Sequence, residues 1–236
     1  MSEERSDISF IARLYHEIYR GSEATEAINK LAYLYPDFDE QELKLFFSIY
    51  KDSFDSLRQT MKILKHAQKS EFQEKQRQKC LILQTHLQKT YQKFVDLAEK
   101  CSDVIDNNLL KAASSPRTIA FLQKMKADIY RYLSECSSAD TIKENIKKSK
   151  ELYTQAMETC TQFLHPYDSL CMDTILNLAV FEYQHTKDQA NAIELLRNEI
   201  EKIKQISIDD LDEEQRENIM KILSIMETNY SAWTGI

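Results

Sequence analysis

The chain has 236 residues and a formal net charge of -7, and its 2 glycines and 3 prolines leave almost no vocabulary for the tight turns and bulges of a sheet protein. It reads as all-α, with hydrophobic residues (42%) spread along its length, enough for the core of one domain or of an extended helical array. The acidic balance excludes the broad basic surface that nucleic acid requires. With no apolar run of about eighteen residues and a polar start, MSEERSD, a cytoplasmic protein without membrane contact is expected.

Residues 6 to 20 place Ile8, Ile11, Leu14, Tyr15 and Ile18 at steps of three and four, which predicts an amphipathic helix ending at Gly21. A short second helix runs from Glu23 to about Tyr35 and is stopped by Pro36. A third, about 40 to 68, starts behind Asp37 and Asp39, and is apolar enough around most of its circumference to be largely enclosed. The fourth, about 72 to 109, repeats Leu83, Leu87, Tyr91, Phe94, Ala98, Cys101 and Ile105; its charge-dense beginning, KSEFQEKQRQK, reads as a solvated protruding end. Ala112 to Arg117 is the clearest loop. Further helices are predicted at about 117 to 136, 140 to 162 (closed by His165-Pro166), 168 to 186, 188 to 205 and 211 to 233. About nine helices with short connections imply antiparallel pairs stacked side by side.

Chemistry-bearing motifs are sparse. The cysteines 80, 101, 136, 160 and 171 form no CxxC pair and are expected to be reduced and mostly buried, and the histidines form no HxxxH or HExxH pattern. With neither a glycine-rich phosphate loop nor a nucleophile elbow in the sequence, no enzyme, metal site or cofactor is expected.

What the sequence does contain is a local positive stripe. At 100° per residue, steps of seven and eleven return Arg58 and Lys62 to within roughly 20° of the azimuth of Lys51. Lys124 and Arg131 repeat the seven-residue spacing on another helix, with Tyr132 beside them. Asn177, Val180 and Gln184 are spaced three and four apart, and Ile225, Asn229 and Trp233 four apart. Cations for a charged group, amides for a backbone and an apolar wall for side chains are what an extended, anionic peptide wants.

At these residues the chain resembles the 14-3-3 family of phosphoserine and phosphothreonine adaptors. The likeness rests on Tyr50-Lys51 with Arg58 and Lys62 downstream, on LQKMKADIYRYLSE (122 to 135), on LNLAVFEYQ (176 to 184) and on IMKILSIMETNYSAWTG (219 to 235), in family order at nearly family separations. The resemblance implies a non-catalytic adaptor, residues 1 to 236 forming a single helical domain around a concave amphipathic groove, with 1 to 35 serving dimerisation and 40 to 233 the groove. It puts Lys51, Arg58, Arg131 and Tyr132 on the peptide's phosphate. Asn177 and Asn229 fall on its backbone, and Lys124, Leu176, Val180, Ile225 and Trp233 on the groove wall. Lys62 and Gln184 replace an arginine and a glutamate of the family's groove, Leu57 replaces another arginine and Ala232 a leucine, so the rim departs from the pattern.

The same resemblance implies a homodimer, or a heterodimer with another family member, whose intersubunit ion pairs would use Arg20, Glu23 and Asp96. The partners implied are phosphorylated client proteins. The altered rim keeps a second reading open, a tetratricopeptide-like helical scaffold that binds acidic or helical segments without needing phosphate.

Overall fold

The computed structural model describes residues 3–136, 139–186, 188–208 and 211–235. Among them the regular structure is entirely helical. The chain forms two compact units, residues 1–112 and 113–236.

The first unit contains α1 (Glu3–Glu17), α2 (Gly21–Leu34), α3 (Glu40–Gln73) and α4 (Arg77–Val104), the last continuing through a π turn, Ile105–Leu109, and a final turn, Leu110–Ala112. Each helix packs on the next. Asp39 begins α3 with a reciprocal cap: its carboxylate accepts the Glu42 N–H at 2.9 Å, and Glu42 accepts the Asp39 N–H at 3.0 Å. Arg5 of α1 then grips the buried Glu42 through Nε (2.8 Å) and Nη2 (2.6 Å), tying α1 to the start of α3.

Beyond that cap the core is aromatic. Phe46, Tyr50 and Phe54 recur every four residues on one face of α3, and Phe54 meets Phe94 of α4 with ring centroids 5.1 Å apart. Tyr50 is fully buried, so its hydroxyl needs a partner; it donates to Asn29 Oδ1 of α2 at 2.9 Å. This bond fixes the rotation of α3 and so places Lys51, the next residue, on the exposed side.

The second unit contains α5 (Pro116–Cys136), α6 (Ala139–Phe163), α7 (Ser169–Phe181), α8 (Gln189–Lys204) and α9 (Glu213–Thr234), with α7 running on into a π turn, Glu182–Thr186. Here α5 packs on α6, and α7 packs against α5, α6, α8 and α9. That central position explains why α7 is apolar around its circumference and buries nine of its residues. Asp168, Asp188 and Asp212 cap α7, α8 and α9 through the N–H groups of Leu170, Asn191 and Gln215, and Gly235 ends α9 at φ 74°.

Several boundaries differ from the periodic reading. Gly21 does not end α1 but opens α2; the reversal is made by Tyr19 at φ 60°, while an added Cβ on Gly21 would stand 3.4 Å from Ser53 Oγ. The reversal between α3 and α4 falls at Glu74–Gln76, with Lys75 at φ 58°, so much of the charge-dense segment belongs to α3. The enclosure of α3 ends near Met61: Ile63 and Phe72 beyond it are exposed. Cys101, Cys160 and Cys171 are buried free thiols and Cys80 is a half-buried one, whereas the side chain of Cys136 lies outside the described residues.

Replacing Asp39 by Ala removes the reciprocal cap of α3 and is expected to cost about 1 kcal/mol of stability, read from the urea midpoint at unchanged slope.

Candidate functional site

In the first unit, the candidate cations of α3 meet on one carboxylate. Lys51 Nζ lies 2.9 Å from Asp55 Oδ2, and Arg58 Nη1 lies 3.1 Å from Asp55 Oδ1. Lys51 and Asp55 are roughly half exposed, and Arg58 is more shielded. Partial burial opposes ionisation of Asp55, but its bonds to Lys51 and Arg58 outweigh that and hold the carboxyl below its ordinary range. Lys62 is exposed one turn further on.

In the second unit the same arrangement recurs on α5 in a different setting. Lys124 Nζ and Arg131 Nη2 each stand 3.3 Å from the carboxylate of Asp128. Tyr153 of α6 donates its hydroxyl proton to Asp128 Oδ1 at 2.5 Å and accepts from Arg131 Nε at 3.2 Å. Lys124 also reaches Asp173 of α7 at 2.9 Å, and Arg131 reaches Glu135 at 3.4 Å. The guanidinium of Arg131 lies over the Tyr132 ring, 4.4 Å from its centroid.

Burial sets the chemistry of this cluster. It disfavours the charged form of Asp128, yet Lys124, Arg131 and the Tyr153 hydroxyl more than offset it, and the carboxyl is held below its ordinary range. It also opposes the charge on Arg131, where Tyr153 and Asp128 raise the pKa beyond its ordinary value. Arg131 is therefore a permanent, immobilised cation.

The remaining candidates divide. Asn177 and Val180 on α7 and Asn229 and Trp233 on α9 are half-buried, and Ile225 is exposed. Trp233 stacks on Tyr183, ring centroids 4.2 Å apart and planes 7° apart, and packs against the core cluster shared by α7, α8 and α9. Leu176 belongs to that core, with 6% of its surface exposed, and so is core lining rather than an open wall. Lys124 is likewise buried, its ammonium committed to joining α5 to α7.

Gln184 does not continue the face of Asn177 and Val180 regularly, because it lies in the π turn that follows Phe181. That turn is held by Glu182, buried and bonded to Lys150 at 2.7 Å and to the Thr186 hydroxyl. His185, stacked on Phe181, has its pKa lowered by burial and by Arg131, against an opposing effect of Glu135.

Within the chain, the residues proposed from the sequence for intersubunit pairs are engaged locally. Arg20 donates through Nε to Glu23 Oε1 at 2.8 Å and lies over Tyr15, while Asp96 accepts from Gln92 at 2.8 Å. Asp96 also lines a cavity of about 640 Å³ with His16, Asp52, Lys93 and Lys100.

Composition and motif reading missed Asp55, Asp128, Tyr153 and Asp173. The first two carried a signal: Lys51, Asp55, Arg58 and Lys124, Asp128, Arg131 share the spacing K-x-x-x-D-x-x-R, which brings all three side chains of each set to one helix face. Tyr153 and Asp173 come from other helices and carried none.

The described chain is all-helical and carries, in each unit, a set of cations gathered on one carboxylate. Comparison with known proteins gives the family: residues 11–234 match the family described as 14-3-3 protein. The chain is 29% identical to the 14-3-3-like protein GF14 epsilon of Arabidopsis thaliana, over 100% of this chain and 92% of that protein. It is 26% identical to 14-3-3 protein 7 of Solanum lycopersicum, with 100% and 93% covered, and 26% identical to Protein BMH2 of Saccharomyces cerevisiae, with 100% and 86% covered. The chain belongs to the 14-3-3 family. It is accordingly a non-catalytic adaptor in signalling, working through protein partners rather than as an enzyme. No helix among the described residues is long and apolar enough to cross a membrane.

Because the Asp128 carboxyl is held below its unfolded value, its contribution to stability is complete above that value, near 3.8, and is lost as pH falls through the folded pKa. Asp128→Asn is expected to lower stability by about 3–5 kcal/mol at pH 7, since it leaves Lys124 and Arg131 without their shared buried partner. Denaturant titrations at pH 7 and pH 3 check this: the variant starts lower and loses less on acidification than the wild type.

Proposed function

We propose that the protein binds phosphoserine- or phosphothreonine-containing segments of client proteins, with Lys51, Arg58, Arg131 and Tyr132 taking the phosphate, and that it works as a dimer in the cytoplasm. The observation that carries this reading is the pair of cationic faces, one on α3 and one on α5, each built on the same spacing in a chain whose net charge is -7. Membership of the 14-3-3 family supports it.

A phosphoryl group brings about -1.5 to -2 charges and three acceptor oxygens, enough to engage two guanidinium groups, an ammonium and a phenol together. Arg131 suits the task because Tyr153, Asp128 and Tyr132 fix its orientation before any ligand arrives. The half-buried amides of Asn177 and Asn229 are available in kind for a peptide backbone, with Val180, Ile225 and Trp233 for its side chains. Lys62 and Gln184 are exposed and act at most as rim contacts.

Dimerisation is supported by apolar surface that a monomer leaves in water. Phe10 (64%), Ile11 and Leu14 of α1 and Ile18 just beyond it are exposed, as are Ile63 and Phe72 (77%) of α3 and Leu81 and Ile82 of α4. Arg20 would exchange its bond to Glu23 for an intersubunit one to Asp96, leaving Glu23 for a cation of the partner subunit. Such exposed pairs contribute only about 0–1 kcal/mol each, so apolar contact dominates. A dimer presents two sites, and a doubly phosphorylated client gains avidity from the resulting effective concentration.

A phosphoserine peptide is expected to bind at least about tenfold more tightly than its unphosphorylated twin, and Arg58→Ala and Arg131→Ala should each remove most of that difference, as charge-assisted bonds contribute roughly 1.5–3 kcal/mol apiece. Fluorescence polarisation measures both. Equal binding of the two peptides would replace the reading with a phosphate-independent scaffold. Light scattering at micromolar concentration is expected to give twice the mass of the chain, and the mass of a single chain would remove the bivalent mechanism.

A further inference from the structure

The two K-x-x-x-D-x-x-R sets use their central carboxylates under different physical conditions. Asp128 has a side chain 9% exposed, is bonded to Lys124, Arg131 and Tyr153, and cannot leave its cations without stranding buried charge. Asp55 is 41% exposed, and its two bonds, to Lys51 at i-4 and Arg58 at i+3, are those of neighbours on an accessible helix face. One rotation of its side chain carries the carboxylate into water at little cost.

We propose that Asp55 is an exchangeable internal counter-ion: it occupies Lys51 and Arg58 in the empty protein, is displaced when a phosphoryl group arrives, and thereby limits the affinity of the site. This rests on the phosphopeptide reading of Lys51 and Arg58. The two bonds of Asp55 go to different carboxylate oxygens, one to each cation, so it spans the pair in the way a phosphoryl group would. A dianion with three oxygens outcompetes it. Even after displacement, the carboxylate stays on the same helix face, so its repulsion of the ligand persists at short range.

The paired sets thus divide two tasks between the same three residue types. On α5, the enclosed Asp128 positions Arg131 and cannot be exchanged. On α3, the accessible Asp55 occupies Lys51 and Arg58 and lowers their net charge, disfavouring adventitious anions until a stronger one displaces it. Asp55 is therefore an affinity-setting residue, and removing its charge should improve binding, whereas removing a positioning residue should impair it.

The test compares wild type, Asp55→Asn and Asp55→Glu, each confirmed as folded by circular dichroism, on one fluorescein-labelled phosphoserine peptide library together with the unphosphorylated counterparts. Asp55→Asn is expected to bind phosphopeptides about 3- to 10-fold more tightly than wild type at low salt, with the gain shrinking as ionic strength rises through a few tenths molar. Asp55→Glu keeps the charge and is expected to stay near wild type. Unchanged or weaker binding by Asp55→Asn, or a gain insensitive to salt, would overturn the proposal while leaving the phosphopeptide reading intact. If neither wild type nor Asp55→Asn distinguishes any phosphopeptide from its counterpart, the reading itself falls and the proposal with it.

Discussion

An ion kept out of water must be matched by other groups, and the carboxylate of Asp128 is the place where the second unit meets that demand. Lys124 and Arg131 supply charge from its own helix and Tyr153 supplies a proton from α6. Lys124 extends the network to Asp173 of α7. Three helices are therefore registered on one buried charge, and each member would be destabilising if left alone. The network also accounts for a guanidinium that is largely shielded yet charged: the anionic and hydrogen-bonding groups around Arg131 offset the cost of its burial.

The first unit is organised by a different rule. Its centre is an aromatic row, Phe46, Tyr50 and Phe54, closed by Phe94, and the fully buried Tyr50 hydroxyl is satisfied by Asn29. Lys51, Asp55 and Arg58 of α3 lie outside that row, on its more accessible side, and pair along one helix face. The two cationic faces thus have the same residue spacing but opposite relations to the core. One is a structural element that presents a cation; the other is a surface whose ionic contacts can exchange.

Much of this was legible in the residues. Glycine scarcity and three- and four-residue periodicity gave the helices, Pro36 and His165-Pro166 marked two stops, and the order of four segments pointed to the family, which the matched residues 11–234 establish. The reversals were harder. Tyr19 and Lys75 take left-handed backbone conformations that favour glycine or asparagine, so no local signal marked them, and Gly21 drew attention to the wrong residue. The π turn after Phe181 is set by Glu182 meeting Lys150 of another helix, a tertiary bond that periodicity cannot contain. Leu176 and Lys124 were assigned to an open wall from spacing and family position alone, since spacing gives a face but not what covers it. The carboxylates of the two cationic faces stood in plain sight at i+4 and i-3, and only their different burial, a property of the fold, separates their roles.

The chain contains a single tryptophan, Trp233, stacked flat on Tyr183 where α9 meets the π turn. Indole emission from the whole protein therefore originates at one tertiary contact, beside the half-buried Asn229 of the same helix. The molecule carries its own optical probe of how α9 is seated, and red-edge excitation would isolate that signal from its 12 tyrosines without any label.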